Sequence, residues 1–154
     1  MKNKKLISQG FTLIELLVVI AIIGILTAII VPDISNLRSK GSNAAVKENL
    51  TAIRSQAGIY YDDNENTYGL DISDCTSVDA NGKSVFTNPL VARALENALT
   101  NAGASPTQVC NTSTDGQKWA SSISPLKDAS EASWCVDSSG WNKTGIAANG
   151  ICSE

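Results

Sequence analysis

Glu15 is the single charged residue in a run of 21, FTLIELLVVIAIIGILTAIIV, at positions 11–31. A carboxylate in an apolar helix costs about 2.5 kcal/mol or more at mid-membrane depth. Near a helix start the cost falls, because the side chain can snorkel and the macrodipole favours negative charge. One reading is therefore a tolerated interfacial acid. The other is charge pairing, with a cation meeting the carboxylate once the helix leaves water. A cut between Gly10 and Phe11 would create an α-amino group four residues before Glu15. In a stack of helices, that amine on one copy could pair with Glu15 of its neighbour. The second reactive set is four cysteines, Cys75, Cys110, Cys135 and Cys152, all beyond the apolar run. An even count in an oxidising compartment reads as two disulfides. Without a C-x-x-C pair or any histidine, metal ligation is the weaker alternative.

Composition narrows the chemistry further. The 154 residues have one-domain length, with 12 Lys+Arg, 15 Asp+Glu, no His and a net charge of −3. An acidic chain does not neutralise phosphates over a broad surface, which argues against general nucleic-acid binding. The commonest general base is absent. No nucleophile–base pair, phosphate-binding loop or metal constellation is visible, so no enzyme and no cofactor is expected. Asp62, Asn64 and Asn66 occupy the first, third and fifth places of a calcium loop. Thr67 and Ser73 then replace the required Gly and Glu, so the pattern fails and a solvated helix end is the better reading.

The elements that would position Glu15 are local. Residues 1–10 carry Lys2, Lys4 and Lys5 and no acid, and the apolar run as a helix rises about 31 Å, enough for a bilayer core. The lysine flank favours an N-terminus left in the cytoplasm and a translocated remainder. A cleaved secretory signal has a shorter apolar region and a small-residue site, whereas Val31, Pro32 and Asp33 follow here. A plain signal anchor accounts for everything except Glu15. Loss of residues 1–10 would take the net charge from −3 to −6.

A basic leader ending in Gly10, then Phe11, Thr12, Leu13, Ile14 and Glu15 ahead of a long apolar stretch, resembles the type IV prepilin signal. The resemblance covers residues 1 to about 32, and more loosely the helix to about 61. It implies cleavage after Gly10 by a prepilin peptidase, N-methylation of Phe11, and Glu15 as the assembly residue. It also implies that the segment between Gly24 and Pro32 loosens when subunits enter a filament. By their own chemistry, Gly24 and Pro32 are weak points that a membrane helix tolerates, Pro32 acting as either a kink or a boundary.

Past Pro32, Val46, Leu50, Ile53, Ala57 and Tyr60 step by four and three, making one apolar stripe. Lys47, Glu48, Thr51, Arg54 and Ser55 turn away from it. The expected organisation is a leader (1–10), an apolar membrane or filament-core helix (11–32), its amphipathic continuation (33–63) and a globular head (64–154). Pro89 opens a second helix, with Asn88 as cap, Leu90, Val91, Ala94, Leu95, Ala98 and Leu99 recurring, and Gly103 as stop. A turn is expected at residues 79–82, and strands near 117–123, 131–137 and 144–152. Trp119, Trp134 and Trp141 read first as core or sheet-face residues and second as a stacking surface. The predicted fold is α+β: the long kinked helix of a type IV pilin, packed against a small head with a short helix and an antiparallel sheet, stapled by disulfides. Of three connectivities, Cys75–Cys110 with Cys135–Cys152 is favoured, because the second closes a compact loop. Pilins often staple a C-terminal loop this way.

The function this implies is a structural subunit of a type IV pilus. Its partners would be identical copies in a helical filament, prepilin peptidase, the inner-membrane assembly machinery and, before assembly, lipid. The chain would begin as a single-pass inner-membrane precursor and end on the cell surface. The alternatives are a minor or tip pilin with an adhesive or DNA-binding head, and a type II secretion pseudopilin.

Overall fold

The computed structural model describes residues 11–154, apart from the side chains of residues 31–33. The leader, including Gly10 and its lysines, lies outside the described residues. The chain forms two compact units, Met1–Leu37 and Arg38–Glu154. Helix α1, Leu13–Asp63, belongs to both, and its backbone runs on through position 32, so Pro32 does not end it.

In the first unit, Leu13–Ile30 is long and apolar enough to cross a membrane, and none of it is buried. Leu13 at one extreme is 88% exposed and Val19 at the other 46%. The Thr27 hydroxyl donates to the Ile23 carbonyl at 2.7 Å, so this polar group is satisfied within the helix itself.

In the second unit the stripe does what its spacing predicts. Val46, Leu50, Ile53 and Ala57 are fully buried and Tyr60 half-buried, while Glu48, Thr51, Arg54 and Ser55 face solvent. Helix α2, Pro89–Asn101, starts where Asn88 Oδ1 accepts from the amides of Leu90 (3.0 Å) and Val91 (3.4 Å). Val91, Leu95 and Ala98 enter the core, but Leu90, expected on the apolar face, points to solvent from the first turn.

Gly103 works differently from the expected stop. Helix α2 closes on Ala102 in extended backbone, and the Gly103 amide donates to the Pro125 carbonyl at 2.8 Å. A Cβ at Gly103 would lie 2.8 Å from the carbonyl oxygens of both Pro125 and Leu126. The glycine is needed for close backbone approach rather than for a left-handed turn.

Four strands form an antiparallel sheet in sequence order: β1 (Thr107–Thr112), β2 (Trp119–Ser124), β3 (Trp134–Asp137) and β4 (Asn142–Lys143). Strands β5 (Ile146–Ala148) and β6 (Ile151–Ser153) pair separately as a hairpin. Its turn, Asn149 and Gly150, has φ of 50° and 75°, the left-handed pair that a two-residue hairpin turn requires. Strand β1 was not expected. Its sequence, TQVCNT, offers one large apolar residue and no apolar alternation, so only its pairing with β2 reveals it. The region expected as one strand at 144–152 is instead the β5–β6 hairpin.

Register sorts the side chains onto two faces. Cys110, Trp119, Ile123 and Val136 share a core with the α1 stripe, Phe86, Val91 and Leu95. The opposite face, with Val109, Ala120 and Cys135, packs on Ala147 and Cys152 of the hairpin. The disulfides hold one face each, Cys75–Cys110 tying the loop after α1 to β1 and Cys135–Cys152 tying β3 to β6.

Candidate assembly site

The start of α1 is built by two residues. Thr12 precedes the first helical residue, and its amide and hydroxyl donate to Glu15 Oε2 at 2.9 and 2.8 Å. The Glu15 amide returns a bond to the Thr12 hydroxyl at 3.3 Å. This reciprocal pair is a capping box, which satisfies backbone donors that a helix start otherwise leaves unpaired. Thr12 escaped the sequence reading although its signal was plain: Thr, two residues, then Glu, ahead of an apolar run. Both in-chain bonds fall on Oε2. Among the described residues Oε1 takes no partner, so one carboxylate oxygen is held in place and the other is open to a cation. Phe11, 79% exposed, borders a shallow concavity with Ile14, Glu15, Val18 and Val19.

The other expected site residues are scattered. Gly24 lies in uninterrupted helix, and a Cβ there would meet nothing within 4 Å. The side chain of Pro32 and the whole of Gly10 lie outside the described residues. The four cysteines sit in the second unit, paired as the two disulfides given above.

Two polar devices hold the head together. Asn43, 3% exposed on α1, accepts the amides of Lys127 (3.0 Å) and Asp128 (3.2 Å) on Oδ1 and donates from Nδ2 to Glu131 at 3.3 Å. One turn on, Lys47 pairs with Glu131 at 2.5 Å and lies 4.1 Å from the Trp134 ring centroid. Asp137, 2% exposed at the end of β3, accepts the amides of Ser139 and Trp141 and the Ser139 hydroxyl on Oδ1, and the Cys152 amide on Oδ2. Burial pushes its carboxyl up, but these donors together outweigh burial and hold it below the usual carboxylate range.

Trp119 is core, as expected. Trp134 and Trp141 are half-buried, each with a lysine ammonium over its ring (Lys47 and Lys143, both at 4.1 Å). No group of three or more potential metal ligands exists among the described residues. Asn64 Nδ2 donates to the Tyr60 carbonyl and the Asn66 backbone amide to the Tyr61 carbonyl, so both residues take part in ending α1, as the reading of a helix end expects.

With this geometry, the family described as the prokaryotic N-terminal methylation motif matches residues 7–31. The type IV narrow pilus major component of Thermus thermophilus is 35% identical over 112 residues, which are 70% of this chain and 83% of that protein. The type IV major pilin of Myxococcus xanthus is 46% identical over 46 residues, 30% of this chain and 21% of that protein. The type II secretion system core protein G of Dickeya chrysanthemi is 36% identical over 56 residues, 36% of this chain and 37% of that protein. No solved structure matches the chain. The likeness to the narrow-pilus component runs past the helix into the head, and with the α+β architecture it carries the conclusion that the chain belongs to the type IV pilin family.

Proposed function

We propose that this chain is a structural subunit of a type IV pilus, cut between Gly10 and Phe11 by prepilin peptidase, N-methylated at Phe11 and polymerised through residues 11–31. The supporting observation is a helix, Leu13–Ile30, that is apolar around its circumference except at Glu15 and has none of its residues buried. Such a surface needs lipid before assembly and other copies after it. Burial supplies cohesion. Glu15 supplies register, because a copy out of register would leave a carboxylate unpaired in an apolar core. The capping box with Thr12 holds the carboxylate near the Phe11 amine end of its own helix, leaving Oε1 for the amine of a neighbour.

In this reading Lys2, Lys4 and Lys5 keep the N-terminus cytoplasmic while the head is exported. The segment from Gly24 to Pro32 gives way as the subunit leaves the inner membrane for the surface filament with the assembly machinery. The subunit performs no catalysis and takes no cofactor. The likeness to a pilus major component, which reaches into the head, favours a pilus over a type II secretion pseudopilin, since the likeness to core protein G covers 36% of the chain.

The test is the N-terminal residue and intact mass of the natively expressed protein, with its share of sheared surface filaments. A chain starting at Phe11, one methyl group heavier, and making up most of the filament supports the reading. A trace share makes it a tip or minor pilin, and absence from the surface makes it a pseudopilin. A chain still beginning at Met1 overturns the assembly mechanism.

A further inference from the structure

Arg54 and the pair Asp62 and Asp63 are exposed on the last turns of α1, and none of them has an ion-pair partner among the described residues. The helix itself offers none. The positions three and four residues from Arg54 hold Leu50, Thr51, Ala57 and Gly58, and those preceding the two aspartates hold Gly58, Ile59 and Tyr60. Arg54 and Asp62 are eight residues apart, about 12 Å along the axis, too far to meet each other. The aspartates also sit at the wrong end of a helix. Carboxylates at a C-terminus oppose the macrodipole, and the last turn of α1 contains no basic residue to offset them.

The surroundings of Arg54 form a receptor for such a charge. It lines a cleft of about 380 Å³ with Thr51, Ser55, Tyr68, Asp137 and Ser138. Asp137 also lines this cleft, but its two oxygens accept the Ser139, Trp141 and Cys152 donors, and it makes no ion pair with Arg54. A guanidinium that lines a concave site together with hydroxyls suits a carboxylate.

We propose that the Arg54 cleft receives the Asp62–Asp63 end of α1 from a second copy of this chain. The two surfaces differ, so the contact is heterologous and runs head to tail, and when its rotation does not close it generates an open helical filament. Copies that carry a net negative charge repel one another. An unpartnered cation meeting two unpartnered acids supplies a local attraction that also sets the offset between neighbours. The proposal rests on the filament-subunit reading and adds the head contact to it.

The test uses the full chain in its native host, measuring sheared filament against the membrane pool for Arg54→Glu, for Asp62→Lys with Asp63→Lys, and for all three together. Either charge reversal should lower filament yield roughly tenfold, and the combined swap should return it to within about twofold of wild type. The double lysine variant favours the macrodipole, so its isolated subunit should melt no lower than wild type while assembling worse. A merely structural role for the aspartates would not separate those two readouts. Wild-type yield from either reversal, or a swap that recovers nothing, overturns the contact. If the wild-type chain is itself missing from surface filaments, the filament reading has failed and the contact falls with it. If wild type assembles and Glu15→Leu does not, a failed swap counts against this contact alone.

Discussion

Asp137 Oδ2 accepts the backbone amide of Cys152 at 2.9 Å, so the carboxylate at the end of β3 grips the strand that carries the last disulfide. Its other oxygen organises the turn into β4 through Ser139 and Trp141. One buried charge therefore fixes both the turn and the C-terminal hairpin.

Asp137→Asn should destabilise the head by about 2–3 kcal/mol at neutral pH, because an amide NH2 would face backbone donors that now meet carboxylate oxygens. The pH dependence has a definite sign. The folded carboxyl titrates below its unfolded value of about 3.9, so its contribution is present above pH 4 and is lost as pH falls through the folded value. Thermal melts between pH 2 and 7 should show wild type converging on the flatter Asp137→Asn curve at the acid end. Parallel curves throughout would contradict the assignment.

Glu15→Leu should insert into the membrane as well as wild type, since the substitution removes a charge from an apolar segment. Its filament yield should fall at least about tenfold, because the register charge is gone. Membrane fractionation and shearing of the same cells measure both. Normal yield would remove Glu15 from the assembly mechanism.

Gly103→Ala should cost about 1–3 kcal/mol, since its Cβ would sit 2.8 Å from two backbone carbonyl oxygens that cannot swing away. Gly58→Ala is the matched control: mid-helix, with nothing within 4 Å of the new Cβ, it should stabilise by about 0.5–1 kcal/mol. Denaturant midpoints of the two variants should move in opposite directions.

Replacing Cys135 and Cys152 together with serine should cost roughly 3 kcal/mol, from the 17-residue separation that the bridge closes. Because Cys152 also lies in the small core over Ala120 and Val109, the β5–β6 hairpin should become the first site of limited proteolysis. Cleavage beginning elsewhere would show that the sheet face holds the hairpin without the bridge.

The parts of this protein that its sequence determined are those written in near neighbours. The 21-residue apolar run, the charge at Glu15, the four-three stripe from Val46 to Tyr60 and the Asn88 cap each repeat within a turn or two of helix. Periodicity and capping chemistry therefore expose them before any tertiary contact forms. The capping box of Thr12 and Glu15 is legible in the same way, since Thr, two residues and Glu ahead of an apolar run lie within one turn. Tertiary structure decided the rest, where the deciding atoms are distant along the chain. Strand β1 exists because β2 pairs with it, and its polar residues carry no period of their own. Gly103 is required by the carbonyls of Pro125 and Leu126, Asn43 is buried because the loop at Lys127 and Asp128 folds over it, and the buried Asp137 carboxylate is satisfied because the Cys152 amide arrives beside it. Local pattern could specify the helices, since each closes its own hydrogen bonds. The sheet, the turn at Asp137 and the cleft at Arg54 had to wait for the chain to close on itself.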